Sequence, residues 1–334
     1  MKKNIVTSGI ILITLLLSAC SNHVQIKALK PAEIDRATTT KNIAVVAFNH
    51  DRVGLASKIE TNLGSFRIEN QPFFTVVNRS NIDQVIREQK FHSSGLVNTK
   101  DIVDVGKLLG AQALISGDVS RLASNDTRFY EQRMKCKDKK CKEYYYYKVG
   151  CTKRHISLSA NIKMVDVALG DIIYSDNIAE DAVYKKCRDD NRALPTKESV
   201  GEMLASSIAK SFTYKLTPHY RYFKVVLLDD PDLDYTDKQE DLLEFSLKYI
   251  EQNRYDKAIQ LLMELIDSTN QQSYVALYNL GVVEEALGHY GKAKKYYEQA
   301  DRLVVEPVEA ISIAINRINA AISEYDLTMK QLQR

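Results

Sequence analysis

Apolar residues between positions 41 and 228 fall into two alternating patterns. Compact apolar runs of strand length occur at 43–48, 73–77 and 113–119. Between these runs, apolar residues recur every three or four positions, which predicts helices that pack behind the strands. The helical positions are Leu55, Ile59, Leu63 and Phe66, then Ile82, Val85 and Ile86, then Ile102, Val105, Leu108 and Leu109.

Two of these helices carry boundary signals. The segment Ser80–Asp83 has the form of a capping box and would open the second helix. The third helix is expected to run from about Thr99 and to stop at Gly110, because glycine readily adopts the conformation that ends a helix.

The second half of the region has strand periodicity. Apolar residues alternate with polar ones from 156 to 164, which predicts a half-buried antiparallel strand. A turn at 169–171, a returning strand at 172–178, a long helix from about Thr196 and a last strand at 222–228 would follow. This order predicts a mixed α/β (α+β) fold. The alternating apolar positions are Ile156, Leu158, Ala160, Ile162 and Met164.

Residues 123–153 interrupt this pattern and are expected to form an inserted hairpin. The segment contains five lysines between 135 and 142 and four consecutive tyrosines at 144–147. Four cysteines are candidates for two disulfides, and the sequence does not choose among their three possible pairings. A thiolate metal site is the alternative, although no histidine stands at ligand spacing. The cysteines are Cys136, Cys141, Cys151 and Cys187.

An acidic, proline-containing segment at 229–240 marks the expected boundary between two domains. Everything that follows, 241–334, has helical periodicity. Isoleucines at 311, 315, 318 and 322 predict a final helix that caps the others.

A set of small and aromatic residues in this C-terminal region resembles the tetratricopeptide repeat, whose two helices meet at small residues and interlock through aromatic ones. A weaker copy stands 35 residues upstream, where Tyr255 precedes Tyr290 (290 − 255). The resemblance implies stacked helices that bind a peptide or a partner protein, and a generic helical bundle is the alternative. The matching residues are Leu280, Gly281, Gly288, Tyr290, Ala293, Tyr297 and Ala300.

The N-terminus has the order of a secretory signal. Lys2 and Lys3 precede an apolar run at 5–17, which is too short to span a membrane as a helix. The sequence Leu-Ser-Ala-Cys at 17–20 resembles the lipobox of bacterial lipoproteins. That resemblance implies cleavage before Cys20, acylation of Cys20 with chains such as palmitate, and anchoring in a membrane. Ser21 favours the outer membrane, with the body of the protein in the periplasm. The alternative to the lipobox is an ordinary signal peptide with a coincidental cysteine.

Composition and motifs give no indication of an enzyme. The net charge is +3 for the 334 residues, which gives no reason to expect a nucleic-acid partner. No metalloprotease, hydrolase, P-loop or dinucleotide motif occurs. His50-Asp51 follows the first strand but has no nucleophile in a recognisable motif, so a surface loop is expected. We therefore predict no catalytic residue, no cofactor and no metal.

Several segments in order resemble the family of the curli secretion lipoprotein CsgG and its LpoB-like relatives. They are the apolar strand at 43–48, the segments 74–89, 106–119 and 159–177, and the preceding lipobox. With this resemblance the expected layout is a signal peptide at 1–19, a tether at 20–40, a CsgG-like domain at 41–228, the linker, and the helical domain. The basic residues of 123–153 argue against the membrane-inserted hairpins of the channel-forming members.

The expected function is that of a lipid-anchored interaction protein in an outer-membrane assembly for secretion, cell-wall synthesis or a surface appendage. The repeats would bind partner proteins, and self-association is possible. The alternative is a component of a CsgG-type oligomeric secretion channel.

Overall fold

The computed structural model describes residues 22–77 and 99–334. The chain divides into two compact units. The α/β unit comprises 29–220 and 324–334, and the helical unit comprises 221–323 with the described residues that precede Leu29. The capping box predicted at Ser80–Asp83 and its helix lie outside the described residues.

The strands are β1 (His23–Lys30), β2 (Asn42–Val45), β3 (Arg67–Ile68), β4 (Gln71–Pro72), β5 (Thr75–Val76), β6 (Ala113–Val119), β7 (Ala123–Cys136), β8 (Tyr144–Asp166), β9 (Ile172–Cys187) and β10 (His219–Val226). The helices are α1 (Leu55–Ser65), α2 (Thr99–Leu108), α3 (Lys197–Leu216), α4 (Asp237–Glu251), α5 (Tyr255–Ser268), α6 (Tyr274–Ala286), α7 (Tyr290–Leu303) and α8 (Glu309–Gln333).

The main sheet of the α/β unit joins a parallel part to an antiparallel part. Strands β5, β2 and β6 are parallel, with Ile43 opposite both Val76 and Ala113. Strand β8 is antiparallel to β6 and then to β7 along one edge, and to β9 along its other edge. The strands predicted at 113–119 and 156–164 are confirmed.

Helices cover both faces of this sheet. On one face, α3 packs against the alternating side chains of β8 and α1 packs beside α3 on the parallel strands, so that Ile59, Ile208 and Ile162 share one core. On the other face, Val105 of α2 packs against Ala44 and Leu114. The inward position predicted for Leu108 is wrong, because Leu108 is 53% exposed on the outer side of α2.

Helices α1 and α3 begin at side chains that accept hydrogen bonds from their first N–H groups. Helix α3 begins where the sequence predicts, and there the hydroxyl of Thr196 accepts a hydrogen bond from the N–H of Ser199. The carboxylate of Asp51 accepts hydrogen bonds from the N–H groups of Leu55 and Ala56 at the start of α1. These bonds replace partners that the first turn of a helix lacks.

The insertion predicted at 123–153 is part of a longer three-stranded arm. We define the arm as residues 123–136 of β7, 144–157 of β8 and 181–187 of β9, which pair in one continuous antiparallel register. The hairpin prediction is confirmed, but β9 adds a third strand because its pairing with β8 continues to Cys187.

The helical unit contains a two-stranded ribbon in addition to its helices. Strand β10 pairs with β1 and not with the main sheet, which corrects the expectation that the strand at 222–228 completes the α/β domain. The tether predicted at 20–40 is wrong for 23–30, because Val24 and Ile26 are buried in the core of the helical unit.

The predicted domain limits also differ at the C-terminus. Helix α8 starts in the helical unit, but residues 324–334 belong to the α/β unit. There the side chain of Gln331 accepts a hydrogen bond from the N–H of Ala32 at 2.8 Å, and Arg334 pairs with Asp35 at 2.9 Å. These polar contacts explain why the end of α8 groups with the α/β unit.

Candidate interaction surfaces

The residues of the predicted repeat meet where α6 and α7 pack together. A Cβ atom at Gly281 would lie 2.6 Å from the ring of Tyr297, so only glycine allows this ring to approach the helix so closely. Leu280, Ala293 and Ala300 are buried at the same junction. Gly288 has φ +80° in the turn between the two helices, which favours glycine.

A buried ion pair joins this junction to α8. Glu285 is 1% exposed, and its carboxylate accepts two hydrogen bonds from Arg317, each 2.8 Å long, and one from Tyr297 at 2.7 Å. Burial by itself lowers the pKa of Arg317, but the hydrogen bonds and charge of Glu285 raise it above its usual value. The guanidinium therefore remains charged and ties α6, α7 and α8 together.

Helix α6 also holds an extended segment of its own chain. The amide of Asn279 accepts a hydrogen bond from the N–H of Leu228 at 2.9 Å and donates one to the C=O of Leu228 at 2.7 Å. The hydroxyl of Tyr278 donates to the C=O of Val226 at 2.9 Å, and burial raises the pKa of Tyr278 to about 12. The side chains of Tyr278 and Asn279 on α6 are therefore occupied by the backbone of Val226 and Leu228.

The predicted acidic linker is likewise held in place. The carboxylate of Asp232 accepts hydrogen bonds from the N–H of Tyr274 at 2.5 Å and from the hydroxyl of Ser273 at 2.9 Å, at the start of α6. Thr236 and Gln239 then form a capping box that opens α4. The segment is a docked connection, because its carboxylate satisfies a helix start that would otherwise lack acceptors.

We expect Asn279→Ala to lower the free energy of unfolding of the helical unit by about 1–3 kcal/mol, because it leaves two backbone groups without partners. Urea unfolding measures the loss, and hydrogen exchange at the Leu228 amide should accelerate. Asn319→Ala, at an exposed position on α8, is the control and should change stability by less than about 0.5 kcal/mol. Equal effects of the two variants would contradict this role for Asn279.

The arm has two different faces. Residues that lie opposite each other in the register share a face, which places Tyr130, Met134, Tyr144 and Tyr146 together on one side, and all four are exposed. Residues 123–157 contain ten Lys or Arg and four Asp or Glu, a net charge of +6. The four tyrosines at 144–147 thus form no single stripe but alternate between the faces.

The other face of the arm has a small core. Val149, Cys151 and Cys187 are buried there, with Phe129 and Tyr147 packed against them. Tyr147 donates a hydrogen bond to Asp189 at 3.1 Å, which is the main reason that the pKa of Tyr147 is raised. This face is therefore closed by the segment that follows β9.

The four cysteines form two disulfides, one at the turn between β7 and β8 and one between strands of the arm. Cys136 pairs with Cys141 near the hairpin turn, and Cys151 pairs with Cys187 across β8 and β9. Glu131 lies beside Cys151 and Cys187, and the three side chains are close enough to share a metal ion. Since both sulfur atoms are bonded to each other, neither offers the thiolate that a metal ligand requires.

His50 and Asp51 contact different groups. His50 Nδ1 lies 3.1 Å from the carboxylate of Asp118, whereas Asp51 caps α1. The two side chains thus bind different partners and form no pair with each other in these contacts, as expected for a surface loop.

Two segments of the chain match known families. Residues 65–188 match the family described as curli production assembly/transport component CsgG, and residues 274–303 match the tetratricopeptide repeat. The chain thus joins a CsgG-like segment to a tetratricopeptide repeat. The CsgG-like segment includes the arm, and the repeat spans α6 and α7.

The sequence has no match among curated proteins. Among solved structures, it is similar to the LpoB C-terminal domain from Salmonella enterica, with 11% identity, a TM-score of 0.26, and coverage of 44% of this chain and 94% of that one. The lipoprotein GNA1162 from Neisseria meningitidis has 12% identity and a TM-score of 0.26, and the match covers 52% of this chain and 97% of that one. The PelC dodecamer from Paraburkholderia phytofirmans has 10% identity and a TM-score of 0.20, and the match covers 58% of this chain and 97% of that one.

The lipidation site predicted at Cys20 lies outside the described residues. Within 22–77 and 99–334, none of the helices combines the length and the apolar character needed to cross a membrane.

Sequence reasoning missed the polar residues that organise the repeat, namely Asp232, Asn279, Glu285 and Arg317. One signal was available. Glu284 and Glu285 end an otherwise mostly apolar helix, and two adjacent carboxylates in such a helix require buried partners. Glu284, which stands where the repeat usually has an aromatic residue, is bonded to His289 at 2.6 Å.

Proposed function

We propose that this protein is a lipid-anchored interaction protein of the bacterial envelope, held in the outer membrane through Cys20 with its body in the periplasm. It binds a partner protein through its helical unit and acts as an adaptor in an envelope assembly. No catalytic step and no cofactor is part of this proposal.

The observation that supports the proposal best is the tetratricopeptide repeat, because stacked helical repeats present surfaces for protein partners. Since α6 is occupied by Val226 and Leu228, we assign the partner contacts to the neighbouring helices. Large apolar side chains are exposed there at Phe245 on α4, Met263 on α5 and Ile313 on α8. Aromatic residues and methionine are enriched in protein interfaces.

The exposed aromatic face of the arm supports a second protein contact. Tyr130, Met134, Tyr144 and Tyr146 combine apolar area with neighbouring positive charge. The same composition counts against the secretion-channel alternative, because each Lys or Arg on a lipid-facing strand costs about 2–4 kcal/mol near the middle of the bilayer. The arm is better suited to a protein surface with acidic residues.

The proposal is tested by site-specific photo-crosslinking of the full-length protein in envelopes of the producing cell. A photoreactive phenylalanine analogue replaces Phe245, Met263 or Ile313, and replaces the exposed Leu169 of the α/β unit as the matched control. We expect one discrete protein adduct from the helical-unit positions, absent at Leu169. We also expect Cys20→Ala to move the protein out of the membrane fraction and to reduce the yield of this adduct.

The lipid anchor and the binding surface of the helical unit are tested separately. If the Cys20→Ala protein stays with membranes to the same extent as the wild type, the lipid anchor is wrong. If Phe245, Met263 and Ile313 give only the background seen at Leu169, the helical unit is not the binding surface. A large detergent-stable ring of the wild-type protein would favour the channel alternative.

A further inference from the structure

A cavity of about 670 Å³ lies in the α/β unit at the carboxyl ends of β2 and β6. The chain leaves β2 through α1 toward β5 and leaves β6 in the opposite direction toward β7 and β8. In open sheets of this kind, the gap between two strands whose connections diverge is the position where ligands bind. The volume also falls within the range of small-ligand sites.

The floor of the cavity is apolar and its rim is charged. Val119 and Leu158 are buried in the floor, with Val53 and Leu122 beside them. Leu122 packs closely against Gly201 of α3, since a Cβ atom added at Gly201 would lie 2.7 Å from the side chain of Leu122. This contact joins the floor to the packed core beneath α3.

Among the residues that the structure describes, the rim carries charges of both signs that have no partner. Arg52, Arg121 and Lys197 line the cavity, and within the described part of the chain their side chains make no hydrogen bond or ion pair. The same holds, in that part of the chain, for the carboxylates of Glu198 and Glu202 on the first turns of α3. Elsewhere on the rim, His50 and Asp118 are paired with each other.

Side chains of the protein already bind several N–H groups at the two helix starts beside the cavity. The N–H groups of Val53, Leu55 and Ala56 at the start of α1 are bound by Asp51, and Thr196 binds the N–H of Ser199 at the start of α3. These four N–H groups are therefore not available to a ligand. Cations and carboxylates around one apolar floor match a ligand that itself carries an anionic group, a cationic group and an apolar group.

We propose that this cavity binds a short zwitterionic peptide. Arg52, Arg121 and Lys197 would hold its terminal carboxylate, Glu198 and Glu202 its terminal ammonium group, and the apolar floor a side chain such as that of leucine. The carboxylates of Glu198 and Glu202 disfavour a ligand with several negative charges, such as inorganic phosphate. This inference concerns the α/β unit and is independent of the partner contacts of the helical unit.

The test is isothermal titration of the purified full-length protein in detergent with the dipeptide Ala-Leu. Its N-acetylated form, its C-terminally amidated form and inorganic phosphate are titrated separately. We expect Ala-Leu to bind and each blocked form to bind at least about tenfold more weakly, because each block removes a charge-assisted hydrogen bond. Phosphate should bind more weakly than Ala-Leu.

Variants assign each end of the peptide. Lys197→Gln combined with Arg121→Gln should weaken Ala-Leu binding at least about tenfold and remove the penalty for amidation. Glu198→Gln combined with Glu202→Gln should remove the penalty for acetylation. Lys210→Gln, on α3 but outside this cavity, is the matched control and should bind like the wild type. Unchanged melting temperatures would show that all variants are folded.

Two results would overturn the proposal. One is the absence of measurable heat with Ala-Leu at millimolar concentration. The other is binding that neither the blocked ends nor the four rim substitutions weaken. Phosphate binding more tightly than the dipeptide would identify a simple anion site and reject the zwitterionic ligand.

Discussion

Arg317→Ala is expected to lower the free energy of unfolding of the helical unit by about 3–5 kcal/mol, because it leaves a buried carboxylate without its counter-charge. Glu285 is almost fully buried and takes three of its hydrogen bonds from Arg317 and Tyr297. The loss is measured as a lower midpoint of urea unfolding, followed by circular dichroism of the helices.

Two further variants separate the buried charge from the loss of packing. Glu285→Gln combined with Arg317→Met removes both charges and should cost much less than Arg317→Ala alone. Arg302→Ala, an exposed arginine on α7, should stay within about 0.5 kcal/mol of the wild type. If the double variant is as unstable as Arg317→Ala, the packing of the arginine stem and not the charge pair dominates.

Removal of the Cys151–Cys187 disulfide is expected to loosen the arm most strongly. This bond closes a sequence separation of 36 residues, whereas Cys136–Cys141 closes 5. The entropy of loop closure predicts losses of about 4 and about 2 kcal/mol respectively. The small core around Val149 and Phe129 offers little apolar burial to compensate.

Trypsin provides the measurement, since the arm is rich in Lys and Arg. When opening is fast relative to cleavage, the cleavage rate follows the open population of the arm, so a loss of 4 kcal/mol raises it up to about a thousandfold. Cys151→Ala with Cys187→Ala should show this increase, and Cys136→Ala with Cys141→Ala should show a much smaller one. Cleavage of both double variants at the wild-type rate would mean that strand pairing alone holds the arm.

The sequence by itself determined the helices and strands that have one buried face along their whole length. The alternation from Ile156 to Met164 specified a strand with one buried face, and the spacing from Val200 to Leu216 specified α3. The small and aromatic residues of the repeat specified α6 and α7, because Gly281 and Tyr297 can meet only in that packing. These patterns are easy to recognise because the side chains on one face of such a helix or strand are all buried and those on the opposite face are exposed.

The tertiary structure alone decided the contacts between residues that are distant in sequence. Strand β10 pairs with β1 across nearly 200 positions, and no local pattern distinguishes this pairing from membership in the main sheet. The three possible disulfide pairings became one only when the register placed Cys151 opposite Cys187. The divergence of the chain at β2 and β6 likewise gathered Arg52, Arg121 and Lys197 around one cavity. Periodicity records whether a residue is buried, whereas the identity of its partner depends on how the whole chain folds.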